Sequence, residues 1–128
     1  MVHNSTAFIY VGLGSEGKGP NGHGLYRRSI DGSDWELLTN GLNETPLIRT
    51  IAINPKELTT IYVGTQDGAY VSYDQGNCWV KLDLPGDSMP VWSINFHPDD
   101  PQIIFVGGEN SKLWRSEDDG KSWNLIPI

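Results

Sequence analysis

The sequence is poor in cysteine and in basic residues, and it has no long apolar run. Its 128 residues include one cysteine, Cys78, so no disulfide forms within the chain and the fold does not rely on oxidation. Nine Lys and Arg against 16 Asp and Glu give a formal charge of -7, which repels a phosphate backbone. No apolar stretch approaches the roughly 18 residues of a membrane span. We therefore expect no nucleic-acid partner and no membrane partner.

Helical periodicity and metal-ligand spacing are also missing. Proline and glycine, 8 and 15 residues, interrupt the chain too often for an amphipathic helix. The histidines, His3, His23 and His97, show no ligand spacing, so we expect no metal and no cofactor. No basic start with an apolar segment appears before Tyr10, which predicts cytoplasmic residence by default; secretion stays open if the chain is a fragment. For Cys78 we expect a buried, unreactive thiol.

What the sequence does contain is a motif that recurs three times. In each copy a short β-prone run ends in Ser-x-Asp, a glycine follows, and a tryptophan comes next. The tryptophans, Trp35, Trp79 and Trp123, are 44 residues apart both times. A fixed period of this size indicates stacked supersecondary units.

Runs on both sides of each motif predict four short strands per repeat, A to D in chain order. Strand A is recognisable over residues 48–54 and 91–97, each ended by a proline, and no equivalent precedes Phe8. The first repeat therefore shows only strands B to D.

Four antiparallel strands in each unit of about 40 to 50 residues are typical of a β-propeller blade. We predict an all-β chain that forms one partial propeller domain over residues 1–128. Its three blades cover about 6–39, 47–83 and 91–127.

Three blades alone leave two apolar sheet faces without a neighbour, whereas propellers close with about four to eight blades. Association is the simplest remedy. We expect a homo-oligomer, with a dimer favoured because two chains would close six blades. A partner chain that completes the first blade, or a longer parent protein, remains an alternative.

The three motif copies resemble the Asp-box, or bacterial neuraminidase repeat. The copy at 115–123 matches S-x-D-x-G-x-[ST]-W at every position, the second has Cys78 in place of Ser or Thr, and the first is one residue short between Asp31 and Trp35. The Asn-Pro and His-Pro turns after strand A are most similar to the branch containing xyloglucan hydrolases, sortilin-type receptors and photosystem-assembly propellers. The resemblance covers nearly the whole chain and implies a β-propeller.

We interpret the Asp-box residues as structural, because a residue type repeated in every blade cannot build one asymmetric active site. A short Asp side chain accepts backbone N–H bonds and closes a turn, glycine supplies a positive φ, and the tryptophan tucks its ring beneath. The residues assigned this role are Ser29, Asp31, Trp35, Ser72, Asp74, Gly76, Trp79, Ser116, Asp118, Gly120 and Trp123.

The candidate binding site lies at the opposite end of the predicted blades. There the B-to-C and D-to-A loops meet, and the first B-to-C loop is extended between Gly14 and Gly24. An aromatic ring beside amides and carboxylates suits a sugar or peptide ligand. The candidate ligand-binding residues are Glu16, Lys18, Asn21, His23, Glu44, Arg49, Asp87, Trp92 and Glu109. The alternative is that Trp92 packs between blades while Arg49 pairs with a carboxylate.

Two functions stay open. The first is a non-catalytic propeller that binds a protein or glycan ligand through this end. The second is a reduced glycoside hydrolase whose cleft forms between two chains, with two carboxyl groups about 6.5 to 9.5 Å apart for inversion. Its candidate acids are Glu16, Glu44, Asp87 and Glu109, but no motif marks any of them as catalytic. The lack of a family catalytic signature favours the first function.

The sequence disfavours both a sialidase and a nucleotide-binding site. Sialidases of the resembled superfamily hold their substrate with three arginines, and Arg49 is the only arginine on a predicted inner strand. The run from Gly12 to Lys18 fits a phosphate-loop pattern, but Gly19 and Pro20 follow where a helix must begin.

Overall fold

In a computed structural model the chain consists of β-strands joined by turns. The structure describes residues 8–14, 23–42, 46–86 and 88–127. The strands within these ranges are β1 (Phe8–Gly14), β2 (His23–Ser29), β3 (Glu36–Leu38), β4 (Ile48–Ile53), β5 (Ile61–Thr65), β6 (Gly68–Ser72), β7 (Val80–Lys81), β8 (Val91–Phe96), β9 (Ile104–Gly108), β10 (Leu113–Ser116) and β11 (Asn124–Leu125). Across the described residues, no helix is long and apolar enough to cross a membrane.

The strands form three antiparallel sheets that follow one another along the chain. The first sheet has the order β1-β2-β3, the second β4-β5-β6-β7, and the third β8-β9-β10-β11. Neighbouring strands are consecutive in sequence and antiparallel in every pair. The all-β prediction with three antiparallel sheets is therefore confirmed, and the described part of the first sheet has the three strands that the sequence indicates.

The sheets are stacked as layers, and the apolar cores lie between them. One core joins the first and second sheets around Leu25, Ile61 and Trp79, and the other joins the second and third around Tyr62 and Trp114. The opening strands of neighbouring sheets lie side by side, since β4 contacts both β1 and β8. A sheet face is therefore buried only where a neighbouring sheet covers it.

Glycine in β1 and in β5 lets the next sheet come close. A Cβ atom on Gly64 would lie 2.7 Å from Val91 Cγ1, and one on Gly12 would overlap the side chain of Ile48. Ile48 and Val91 are the first residues of β4 and β8, so the same approach occurs at both interfaces. The repeated Val-Gly pair is thus a packing requirement.

Gly64→Ala should lower the free energy of unfolding by about 1–3 kcal/mol, because the new methyl group forces β8 away from β5. Urea unfolding followed by tryptophan fluorescence measures this loss. Gly32→Ala is the matched control, since its Cβ atom would approach the Ser29 side chain to 3.3 Å on an exposed turn. The control should stay within about 0.5 kcal/mol of the parent. Equal losses in both variants would contradict the close-approach interpretation.

The Ser-Asp turn of the second sheet is closed by side-chain hydrogen bonds. Ser72 Oγ donates to Asp74 Oδ1 at 2.7 Å and accepts from the Gly76 amide at 2.8 Å. Asp74 Oδ1 also accepts from the Cys78 amide at 2.9 Å. The indole of Trp79 donates to the Gly76 carbonyl at 2.9 Å, and Gly76 has a φ of 98°. The Asp74 carboxylate therefore binds the amide at the end of the turn, and the Ser72 hydroxyl binds the amide of Gly76 within it.

The turn of the third sheet repeats this arrangement. Ser116 Oγ donates to Asp118 Oδ1 at 2.8 Å and accepts from the Gly120 amide at 2.8 Å. Asp118 accepts from the amide of Ser122 at 2.9 Å and from its hydroxyl group. The Trp123 indole donates to the Gly120 carbonyl at 3.1 Å. Two turns in different sheets thus share one set of donors and acceptors.

The turn of the first sheet is different. There the Gly32 amide donates to the backbone carbonyl of Ser29 at 2.9 Å. Trp35 is 46% exposed, whereas Trp79 and Trp123 are 4% and 8% exposed. The missing residue between Asp31 and Trp35 shortens the turn, and no sheet within the described residues covers the ring, over which the Arg28 guanidinium carbon lies at 5.0 Å.

The expectation of a buried thiol at Cys78 is wrong, because this side chain is exposed. Its neighbour Trp79 turns into the core, so Cys78 points outward, where the amide of Asn40 lies 3.2 Å from its sulfur. Partial desolvation and the Asp74 carboxylate raise the pKa of the Cys78 thiol. The thiol is accessible but disfavoured as a thiolate.

Asp118→Asn should reduce stability at neutral pH and flatten its acid dependence. Hydrogen bonds from the Ser122 hydroxyl and amide, and then from Ser116, lower the pKa of Asp118 from 3.8 to about 2. A carboxyl group with a lowered pKa stabilises the fold above its ordinary pKa, and this contribution is lost as the pH falls toward the lowered value.

Thermal unfolding at several pH values tests this expectation. Between roughly pH 4 and pH 2 the parent should lose more of its midpoint temperature than Asp118→Asn does. Asp99→Asn, at an exposed carboxyl group on the turn after β8, should follow the parent at every pH. Parallel acid profiles for the parent and Asp118→Asn would refute the assigned role.

Candidate functional site

The antiparallel order sorts the connections onto two ends of the sheets. One end, called the loop end, carries the β5–β6, β7–β8 and β9–β10 connections at residues 66–67, 82–90 and 109–112, together with the first residues of β4 and β8. The other end, called the Asp-turn end, carries the Ser-Asp turns of all three sheets. The candidate ligand-binding residues in the described ranges belong to the loop end.

Several predicted site residues lie outside the described residues: Glu16, Lys18, Asn21, Glu44 and Asp87. His23 is the first residue of β2, and its side chain is likewise outside the description. Arg49, Trp92 and Glu109 are described, and the geometry of the site rests on them.

Arg49 and Trp92 each stand at a β-bulge. The pairing of β4 with β5 shifts register between the first and third residues of β4, which leaves Arg49 as an extra residue. The pairing of β8 with β9 shifts in the same place, which leaves Trp92 as the extra residue. Bulges redirect a side chain out of the regular pleat and are frequent next to binding sites. The bulge is thus a feature shared by the second and third sheets, and it presents one residue from each of them.

The two redirected side chains stack on each other. The guanidinium carbon of Arg49 lies 4.0 Å from the centre of the Trp92 ring, a cation–π contact. Trp92 nevertheless remains 48% exposed. Arg49 Nε is buried and has no hydrogen-bond partner within the described ranges. The pair offers a positive charge and an open aromatic face side by side.

A cleft of about 360 Å³ opens at the loop end between the second and third sheets. Its lining combines apolar side chains with the charged side chains of Lys81 and Asp83. Its lining residues are Gly68, Ala69, Lys81, Leu82, Asp83, Leu84, Gly86, Ser88, Met89 and Trp114. The cleft is large enough for one or two side chains of a ligand.

Hydrogen bonds hold the β7–β8 loop beside this cleft. The Trp114 indole donates to the Pro85 carbonyl at 2.9 Å. Ser88 Oγ donates to the backbone carbonyl of Asp67 and accepts from Lys81 Nζ at 2.9 Å. The loop is therefore fixed from the third sheet on one side and from the second sheet on the other.

Asp67 lies in the β5–β6 turn, and its carboxylate accepts hydrogen bonds from residues on either side of that turn. It accepts from the Thr65 hydroxyl at 2.6 Å and from the Tyr70 hydroxyl at 3.1 Å. Burial and then the Asp67 charge raise the pKa of Tyr70 to about 12. Tyr70 therefore stays a neutral hydrogen-bond donor, and Asp67 serves the scaffold.

Glu109 lies exposed on the β9–β10 turn at the loop end. Its amide donates to the Pro90 carbonyl at 3.1 Å, which joins this turn to the start of β8. Asn110 and Ser111 have φ values of 58° and 60°, so the turn is tight. Glu109 thus lies at the loop end, as Trp92 does. The cation–π contact at this end is made by Arg49 and Trp92.

Sequence reasoning located Arg49 and Trp92 through the prolines that follow their strands, but it missed the bulges and the cleft. The cleft residues Leu84, Met89 and Trp114 carry no local signal that separates them from ordinary core residues. No group of three or more His, Cys, Asp or Glu side chains suited to a metal occurs within 8–14, 23–42, 46–86 and 88–127.

Solved structures share this fold. An ancestral GH74 enzyme superposes with a TM-score of 0.68 at 22% identity, over 81% of this chain and 15% of that chain. The GH74 enzyme of Niastella koreensis superposes with a TM-score of 0.69 at 19% identity, over 95% and 20%. Together with the three sheets, this likeness confirms the predicted β-propeller architecture.

Curated relatives are much longer than this chain. The vacuolar protein sorting/targeting protein 10 of Uncinocarpus reesii is 39% identical over 62 residues, which are 47% of this chain and 4% of the relative. The protein of that name from Aspergillus fumigatus is 34% identical over 76 residues, or 57% and 5%. The chain spans only these small fractions of the relatives it matches.

The sequence model of one family matches residues 23–127, which include all strands from β2 to β11. That match confirms the predicted propeller-repeat superfamily and narrows it. The chain belongs to the Sortilin-Vps10 family, described as sortilin, neurotensin receptor 3.

Proposed function

We propose that this chain is a non-catalytic β-propeller module that binds a polypeptide ligand through the loop end. The observation that carries the proposal is the cation–π contact between Arg49 and Trp92, which stand at equivalent bulges of β4 and β8. The Arg49 guanidinium carbon lies 4.0 Å from the centre of the Trp92 ring, and the indole is open to solvent. A scaffold that repeats a bulge in successive sheets presents side chains in a row along its inner strands.

The chemistry of this end favours a peptide over a sugar. Arg49 can donate to a carboxylate of the ligand, and a guanidinium already held against a ring loses little entropy on doing so. The cleft at the same end of the sheets is lined by Leu82, Leu84 and Met89, which suit an apolar side chain. A glycan site would instead require several amide and carboxylate groups around the ring.

The names of the relatives support the same ligand class. Proteins called vacuolar protein sorting/targeting protein 10 are named for handling other proteins. The match of residues 23–127 to their family makes a protein ligand the natural reading for this chain.

We also propose that the module is a homodimer whose two chains place six sheets in a closed ring. Two sheet faces in one chain, the outer faces of the first and third sheets, carry apolar or aromatic side chains that no described residue covers. A two-fold pair would cover both at once.

Peptide binding should depend on the stacked pair. Peptides selected from a random dodecapeptide library against the parent protein would be titrated into variants by calorimetry. Arg49→Ala and Trp92→Ala should each weaken binding about tenfold or more, since each removes a contact of roughly 1.4 kcal/mol or more. Tyr73→Ala removes an aromatic residue that is 57% exposed at the Asp-turn end, and it should bind like the parent. Selected peptides that bind the two loop-end variants unchanged would refute this site.

The glycoside-hydrolase alternative predicts a different outcome. Incubation of the protein with xyloglucan should release no reducing sugar if the module only binds. Release that disappears in Glu16→Gln or Asp87→Asn would replace the proposed function with paired-carboxylate hydrolysis. A glycan array run beside the peptide selection separates a sugar-binding module from a peptide-binding one.

A further inference from the structure

We propose that the free edge of β7 binds an extended segment of another polypeptide, which joins the second sheet as a fifth antiparallel strand. The segment preferred at this edge carries a basic, an apolar and an acidic residue in that order, followed by a second apolar residue. The surface is separate from the contact between Arg49 and Trp92, so it stands apart from the proposed function.

β7 is the outermost strand of the second sheet, and one side of its backbone is open. Lys81 pairs with Tyr70 of β6, and the next residue, Leu82, donates its amide to the Ala69 carbonyl at 2.8 Å. In an antiparallel pair, residues alternate between those that bond to the neighbouring strand and those that point away from it. The backbone groups of Lys81 and Asp83 therefore point away from β6. No hydrogen bond from another described residue reaches their amide or carbonyl groups.

The same edge already receives one backbone partner from outside its sheet. The Trp79 amide donates to the Asn40 carbonyl at 2.9 Å, and Asn40 lies in the connection between β3 and β4. Gly41 packs so closely there that a Cβ atom on it would overlap the Trp79 carbonyl group. Because Trp79, Lys81 and Asp83 alternate along the chain, an added strand would extend the contact that Asn40 begins.

The open edge also presents two opposite charges. The side chains of Lys81 and Asp83 lie on one face because they are two residues apart, and both are exposed. Opposite charges that face each other across two strands stabilise a sheet, and like charges destabilise it. In an antiparallel strand the residue facing Asp83 comes before the residue facing Lys81. The edge therefore selects a basic residue first and an acidic residue two positions later.

The other face of this edge is apolar. Leu82 lies opposite Ala69 on the side of the third sheet, and it lines the cleft at the loop end. Val80 shares this face, since it pairs with Val71, and it is 60% exposed. Cross-strand neighbours lie on the same face, so an apolar residue opposite Leu82 would lie beside the cleft and one opposite Val80 would cover it. Apolar residues therefore alternate with the charged ones in the preferred segment.

The third sheet has an edge without these features. There the Ile126 amide bonds to its own sheet at 2.8 Å, as the Leu82 amide does in the second sheet. The outward positions on either side of it are Leu125 and Pro127, which carry no charge, and proline has no N–H group to donate. The second sheet offers two outward amides and a charge of each sign, so its edge is the one suited to a strand.

The lysine makes this edge selective. A short edge strand with a lysine commonly protects a sheet from pairing with unrelated strands. Lys81 acts in this way toward segments that place a basic residue opposite it, and Asp83 does so toward segments with the reverse order of charges. A segment with the matching order avoids both repulsions.

Two capped hexapeptides test the order of charges. The matching peptide is Thr-Lys-Val-Glu-Val-Thr, and the reversed peptide exchanges its lysine and its glutamate. In an NMR titration, the matching peptide should shift the backbone amide signals of Lys81 and Asp83. The reversed peptide should bind about tenfold or more weakly, because like charges then face each other.

Methylation of single peptide amides separates strand pairing from a contact of side chains alone. In the proposed register the amides of the peptide's lysine and glutamate point at β7, so methylation of either nitrogen should abolish binding. The amide of the first valine points to solvent, and its methylated form is the control that should bind like the unmodified peptide. Equal losses for all three methylated peptides would contradict a paired strand.

Protein variants give an independent readout. Asp83→Pro removes the outward amide, as Pro127 does in the third sheet, and should weaken binding of the matching peptide about tenfold or more. Lys81→Glu combined with Asp83→Lys should make the protein prefer the reversed peptide. Circular dichroism checks that the sheets are retained. Arg49→Ala should bind the matching peptide like the parent, so failure of the proposed function and failure of this edge are distinguishable.

Three results would overturn the proposal. The first is the absence of shifts at Lys81 and Asp83 with millimolar matching peptide. The second is a set of shifts confined to the surroundings of Arg49 and Trp92, which would assign the peptide to that site. The third comes from sedimentation velocity of the protein alone: self-association that Asp83→Pro removes would show that a second copy of this chain occupies the edge.

Discussion

The structure depends on one constraint: each sheet can bury its apolar faces only against another sheet. Strands of two to seven residues form thin layers that have no interior of their own, so the cores around Leu25 and Trp114 exist only between layers. Gly12 in β1 and Gly64 in β5 let the opening strand of the next sheet come close. The Ser-Asp turns then fix one end of the sheets, and the first residues of β4 and β8 carry the candidate site at the other end.

The different roles of the Ser-Asp turns and the inner strands explain why the two ends of the sheets differ. At the Asp-turn end the second and third turns use nearly identical donors and acceptors, which leaves little freedom for side-chain variation. At the loop end the connections differ in length and composition, and the cleft beside Met89 is built from residues that the repeat does not prescribe. The candidate binding site lies where the repeat is least strict.

Much of the fold could be predicted from the sequence because the motif recurs at a fixed interval. The equal spacing of Trp35, Trp79 and Trp123, with β-prone runs on either side, indicates layered antiparallel strands without reference to any long-range contact. The bulges at Arg49 and Trp92 could not be predicted, since a bulge is a relation of register between two strands and not a pattern within one. The orientation of Cys78 depended on which way its neighbouring tryptophan turned. The predicted site residues on the extended loops, such as Glu16 and Asp87, stay predictions.

The paired bulges have a consequence for how such a chain changes over time. A residue that the ladder does not pair, as at positions 49 and 92, is released from the β-propensity and cross-strand matching that restrict every other inner-strand position. Exchanging the amino acid there alters what the surface can hold while the layers beneath keep their register. Positions 49 and 92 can therefore be exchanged one at a time, each changing the surface at the loop end while the sheets that carry it keep their register.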